Sequence, residues 1–256
     1  GGDAAADAAS ADSGMASFDP EKVDYRMANT PVDWAHVCEE VAGVERFAFD
    51  TETTGLDARK ARIVGMSFST REGSGWYVPV PLGAPDAPQS EDPAVKDLMA
   101  AFSSVWQATD KVLVAQNWKY DHKVMRRVGV EVQCPVFDTM LAHYVLQPDM
   151  KHGMDYLAET ELGYKTIPIT DLLGKKGKNQ KTMADIPPED VVNYACEDAD
   201  ITLRLANLFE ARMPDGSPER HILDAVEMPL VPVLADMEME GVRLDVDVLH
   251  AMAEGL

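Results

Sequence analysis

The chain has 256 residues and a formal net charge of −21, with 46% hydrophobic and 26% charged residues. This is the balance of a globular protein with one sizeable core, and it argues against a disordered chain, two equal domains, or a basic surface whose overall field draws nucleic acid. No apolar run reaches the roughly 18 residues that a membrane span needs, and no basic-then-apolar leader opens the chain, so a cytoplasmic protein with no membrane partner is expected.

Residues 1–14 use only Gly, Asp, Ala and Ser, too polar to offset their ordering entropy, and a disordered acidic tail is expected over 1–25. The start at Gly1-Gly2 rather than Met fits a processed product or a piece of something longer. From Pro31, the positions Trp34, Val37, Cys38 and Val41 fall at helical spacing, with Gly43 as a stop. Segments 46–51, 62–70 and 75–80 are rich in Phe, Ile, Val and Tyr and joined by short turns, which predicts an antiparallel meander.

A proline-rich loop over 83–93 precedes an amphipathic helix over 94–107. A short buried strand at 111–115, a helix at 120–128, a strand at 136–137 and helices at 138–146 and 154–162 follow. After an irregular stretch, Pro187-Pro188-Glu189 opens a long helix. A break over 213–218 leads to a last helix over 221–240, bent or divided by Pro229 and Pro232 and closed by Gly241. The order implies an α/β domain with a mixed sheet, antiparallel meander plus parallel strands, flanked by helices. Cys38, Cys134 and Cys196 form no C-x-x-C pair and read as reduced thiols.

Three acidic constellations punctuate this pattern: F-D-T-E-T at 49–53, N-W-K-Y-D at 117–121 and Y-A-C-E-D at 194–198. On a strand, Asp50 and Glu52 share a face and Thr51 takes the other. On a helix, Tyr194 sits one turn from Asp198, and Asn117 at the same spacing from Asp121. Four carboxylates brought together repel one another unless divalent cations neutralise them. The set suits phosphodiester hydrolysis by two cations roughly 3.5–4 Å apart. Asp50 is placed to bridge both, Glu52 and Asp198 to complete one site, and Asp121 to hold the other. Tyr194, a poor base at its ordinary pKa, suits the orientation of the attacking water. Bound Mg²⁺ or Mn²⁺ reverses the local charge, so the acidic composition is compatible with a polyanionic substrate; it is equally compatible with an acidic surface kept for solubility.

The segments F-A-F-D-T-E-T-T-G-L-D (47–57), Q-N-W-K-Y-D (116–121), F-D-T-M-L (137–141), G-K-N-Q (177–180) and Y-A-C-E-D-A-D-I-T (194–202) carry a resemblance. In them the chain resembles the 3′–5′ proofreading exonuclease domain of bacterial DNA polymerase I, in the tyrosine-bearing branch of the four-carboxylate exonucleases. The resemblance implies a ribonuclease H-like fold over 26–212. It also implies two divalent cations, Mg²⁺ or Mn²⁺ with Zn²⁺ open at one site, and release of nucleoside 5′-monophosphates from a single-stranded DNA 3′ end.

Asp50, Glu52, Asp121 and Asp198 match the family's metal ligands, and Tyr194 its water-orienting tyrosine. Leu56 matches an apolar wedge against the terminal bases, and Gln116 and Asn117 match residues near the terminal nucleotide. Lys151 stands near the scissile phosphate where an arginine is usual, and Ile169 where an aromatic partner of the wedge is usual. Residues 213–256, with E-M-P-L-V-P-V-L and G-V-R-L-D, resemble a linker and the first helix of the family's polymerase region.

The resemblance therefore implies a polymerase domain as partner in the same chain, a monomer, and a nucleoid-associated place in a bacterial cytoplasm. Poor packing beyond His221 is expected without that partner. Lys175, Lys176, Lys178 and Lys181 read either as phosphate contacts or as a solvated loop. A ribonuclease D-like RNA exonuclease and a catalytically inactive scaffold are the alternative readings of the whole.

Overall fold

The computed structural model of the chain describes residues 14–177 and 180–254. Two short N-terminal strands, β1 (Ala16–Ser17) and β2 (Asp24–Met27), precede helix α1 (Pro31–Ala42). Thr30 and Asp33 cap α1 reciprocally, each side chain meeting the other's backbone N–H. The meander follows as β3 (Arg46–Thr53), β4 (Ile63–Ser69) and β5 (Ser74–Pro79). The helix expected over 94–107 is two pieces, α2 (Pro93–Ala101) and α3 (Ser103–Trp106), parted at Phe102. The Phe102 ring there stacks on Phe68 with centroids 5.3 Å apart.

Next come β6 (Val112–Ala115), α4 (Trp118–Arg127), β7 (Val136–Asp138), α5 (Thr139–Leu146) and α6 (Met154–Leu162). The stretch expected to be irregular contains β8 (Tyr164–Lys165) and the short helix α7 (Ile169–Leu173). Helix α8 (Pro188–Arg212) then crosses the sheet. The chain continues through α9 (Pro218–Ile222), a π-helical turn at Leu223–Glu227, α10 (Met228–Glu240) and α11 (Val246–Ala253). The π turn precedes Pro229 and Pro232, neither of which can donate to the carbonyl four residues back.

Six strands form one mixed sheet in the order β2-β5-β4-β3-β6-β7. β3, β4 and β5 pair antiparallel, while β6 and β7 extend the sheet in parallel from β3. The tail expected over 1–25 is corrected from Ala16 onward: β1 pairs with β8, and β2 adds a parallel edge strand to β5. Residues 1–13 lie outside the described residues. The side chain that ties β2 down is remote in sequence. Buried Asp200 accepts from the Tyr25 hydroxyl (2.8 Å), the Gly73 N–H (2.9 Å) and Arg204.

One sheet face carries Phe47, Phe49, Met66, Phe68, Trp76 and Leu113 into a core closed by α1 to α4. The other face lies under α8 and holds the acids. Gly75 sets how closely α8 approaches, because a β-carbon there lies 2.7 Å from Cys196 Cβ and 3.2 Å from the Cys196 carbonyl oxygen. The C-terminal expectation is corrected in part. Val231 and Ala235 of α10 are buried, and Lys119 and Lys123 of α4 pair with Glu238 at 2.6 and 2.5 Å. Val242, Leu244, Val246, Val248, Leu249 and Met252 are exposed.

Gly75→Ala is predicted to destabilise the chain by about 1–3 kcal/mol, since helix backbone and not a flexible side-chain tip must yield. Urea unfolding checks it, a midpoint equal to that of the natural chain being the contrary result.

Candidate active site

β3 is buried along most of its length, and its alternation sends Asp50 and Glu52 toward α8. From α8, Asp198 descends between Ala195 and Ala199, whose small side chains let the helix lie close. Oxygens of Asp50, Glu52 and Asp198 all lie within 4.8 Å of one another. Tyr194, one helical turn earlier, turns its hydroxyl toward Asp198.

Asp121 reaches the group from the other side of β3. Thr51, on the opposite face from its neighbours, donates its hydroxyl to Asp121 Oδ1. The start of α4 is fixed by Asn117, whose φ of 62° is the left-handed conformation that Asn tolerates. Buried Asp138 holds that turn, accepting from the N–H groups of Asn117 (3.1 Å) and Trp118 (2.7 Å) while also capping α5 through Met140 and Leu141. Asp121 stands outside the three-acid group yet near enough for the Asp50 charge to raise its pKa.

All four carboxylates titrate above their ordinary range. Burial raises Asp50 to about 7, against a lowering by the Thr51 backbone N–H. For Glu52, Asp121 and Asp198 burial is the first cause, and the charge of Asp50 adds to it in each. Among the described residues, no ammonium or guanidinium group is a leading influence on these acids. Glu52 Oε1 is also buried without a hydrogen-bond partner. Desolvated oxygen donors with no internal counter-charge fit hard divalent cations such as Mg²⁺ and Mn²⁺. Tyr194 is raised too, by burial and then by Asp198, so its phenol keeps its proton and acts as a donor.

A carboxylate raised in the folded chain keeps a proton that the unfolded chain has released, so stability falls as pH rises from about 4 through about 7. In EDTA at pH 8, Asp50→Asn is predicted to be more stable than the natural chain by on the order of 1–3 kcal/mol, the gain vanishing by pH 4. Thermal unfolding at the two pH values checks both the size and the direction.

The residues expected to meet substrate are placed unequally. Leu56 is 94% exposed on the turn after β3. Its turn is braced by Tyr120, whose hydroxyl donates to the Gly55 carbonyl at 2.5 Å and bonds Thr53 at 2.6 Å. Gln116 is committed within the protein: Nε2 donates to the His152 carbonyl at 2.8 Å, and Oε1 accepts from Thr139. It ties the exposed loop of Lys151 to the end of β6. The Asn117 side chain makes no capping bond. Ile169 is exposed on α7, and Lys175, Lys176 and Lys181 are exposed, while Lys178 lies outside the described residues.

Sequence reasoning missed Thr51, Tyr120 and Asp138. Asp138 alone left a signal, an Asp directly before an apolar helix. It missed Glu197 as well, which accepts from the Tyr164 hydroxyl (2.7 Å) and the Ile167 N–H (2.6 Å) and so anchors the segment leading to Ile169.

Known proteins share this arrangement of chain and fold. The family model for a 3′–5′ exonuclease domain matches residues 25–214. DNA polymerase I of Pseudomonas aeruginosa is 35% identical over 238 residues, covering 92% of this chain and 26% of that protein. DNA polymerase I of Borreliella burgdorferi is 30% identical over 233 residues, covering 91% of this chain and 24% of that protein. The chain thus spans about a quarter of the length of these relatives. Among solved structures, Brucella melitensis NrnC bound to pGG has the same fold, with a TM-score of 0.61 at 17% identity, over 86% of this chain and 94% of that one. With a match running from β2 to the end of α8 and enclosing every acid of the site, the chain belongs to the 3′–5′ exonuclease domain family of DNA polymerase I.

Proposed function

We propose that this chain removes nucleotides one at a time from the 3′ end of single-stranded DNA, releasing nucleoside 5′-monophosphates with the help of two divalent cations, Mg²⁺ or Mn²⁺. The observation that carries the reading is the convergence of Asp50, Glu52 and Asp198 into one largely buried group with no counter-charge among the described residues. Asp50, Glu52 and Asp198 would hold one cation, and Asp121 with Asp50 the other. Bound there, the cations supply activation of water and stabilisation of the charge on the phosphate and the leaving 3′ oxygen.

The protein's own groups do the rest. Tyr194 donates its phenolic proton in a hydrogen bond and aims the attacking water without removing a proton from it. Leu56, exposed on a braced turn, packs against the last bases and separates them from the strand behind. Lys151 meets backbone phosphate from the loop that Gln116 secures. The DNA preference rests on the relatives, which are DNA polymerases. A polymerase domain in the same chain is the partner that delivers the 3′ end to an acidic domain unable to attract it by charge alone. A monomer in the bacterial cytoplasm, serving proofreading, fits these assignments.

Asp50→Ala, folded as judged by circular dichroism, is predicted to abolish cation-dependent mononucleotide release from labelled single-stranded DNA. Tyr194→Phe is predicted to slow release by about 10²-fold while Mn²⁺ affinity stays that of the natural chain. Matched DNA and RNA oligonucleotides are predicted to favour DNA. Retained activity in Asp50→Ala contradicts the site, and faster trimming of RNA contradicts the substrate.

A further inference from the structure

Three polar side-chain atoms on the sheet face under α8 are buried without a hydrogen-bond partner among the described residues: Glu52 Oε1, Ser67 Oγ and Tyr77 OH. The strand register places them side by side. Asp50 lies opposite Ser67 and Ser67 opposite Tyr77, while Glu52 lies opposite Gly65 in the next row. Residues directly opposite in antiparallel strands share a face, so the Tyr77 side chain emerges on the side that carries the acids.

Gly65 gives the ring its space. A β-carbon at Gly65 lies 2.2 Å from Tyr77 Cε2 and 2.4 Å from its hydroxyl oxygen. The phenol therefore fills the side-chain position directly across from Glu52, where cross-strand β-carbons stand about 5 Å apart. The charge of Glu52 is felt at the hydroxyl, which burial and then Glu52 push above the ordinary tyrosine range. Tyr77 is wholly buried, and a phenylalanine would fill the same volume without desolvating a hydroxyl. A hydroxyl kept there calls for an acceptor, and Glu52, whose Oε1 is likewise unpartnered, is the carboxylate directly across from the cleared position.

We infer that Tyr77 is a positioning residue for Glu52: its hydroxyl donates to one oxygen of the ionised carboxylate and so fixes the other toward Asp50 and Asp198. The inference rests on the reading that the acid cluster holds divalent cations. Tyr77 touches neither cation nor substrate. Its effect falls on how firmly Glu52 is held once a cation has bound, as outer hydrogen-bond partners of metal ligands act elsewhere.

Tyr77→Phe tests it, with Mn²⁺ affinity measured by calorimetry and by the rise in unfolding midpoint over EDTA. The expected result is a midpoint in EDTA equal to or above that of the natural chain, together with Mn²⁺ affinity about tenfold weaker. Unchanged Mn²⁺ affinity overturns the inference and leaves the proposed exonuclease site standing. A lowered midpoint in EDTA also overturns it, by showing that the hydroxyl serves the core. Absence of Mn²⁺ binding by the natural chain at millimolar concentration removes the reading beneath and the inference with it.

Discussion

Mutual repulsion and desolvation of a few carboxylates is the constraint around which this fold is arranged. Asp50, Glu52 and Asp198 are crowded within 4.8 Å, and burial is the first cause of the raised pKa of each. Neutral water would separate such groups or protonate them, and a lysine or arginine would pair with them. This chain keeps the acids together, offers them no such cation among its described residues, and leaves burial to hold protons on them. It spends the rigidity of a six-stranded sheet and a 25-residue helix on holding the acids where their charges conflict. Such strain has a use only if something of opposite sign resolves it.

The means of holding them are local and specific. Gly75, Ala195 and Ala199 bring α8 close to the sheet, so that Asp198 meets a strand from which it is distant in sequence. Asp138 gathers four backbone N–H groups and fixes the turn that launches α4. Thr51 then orients Asp121 across the strand. Asp198 and Asp121 are thus positioned by residues that hold no cation themselves. The same logic extends to the turn of Leu56, braced by Tyr120, and to the Lys151 loop, tied by Gln116.

Much of this was legible in the sequence where the physics is local. The alternation in β3 announced that Asp50 and Glu52 share a face, and the 3.6-residue period of α8 set Tyr194 beside Asp198. The meander and the parallel strands beyond it followed from apolar runs and connection lengths. What escaped depends on partners remote in the chain. Strand β2 has four residues of mixed character and is a strand because Asp200, some 175 positions later, receives Tyr25. The break at Phe102 follows from a ring seeking Phe68, not from any breaker residue. Gln116 matches a family residue near the terminal nucleotide, and nothing in the sequence signals that its amide also engages Thr139 and the His152 carbonyl. Docking of α10 on α4 came through lysines of α4 and Glu238, which no periodicity in either helix foretells.

The central claim is that protonated, buried acids release their protons to solvent when a divalent cation binds. Proton release on adding Mn²⁺ to the cation-free chain, followed with a pH indicator in weak buffer near pH 6, measures it most directly. The account predicts net release of protons that saturates with the cation and is reduced in Asp50→Asn. Mn²⁺ uptake without proton release, or release unaffected by that substitution, would contradict it.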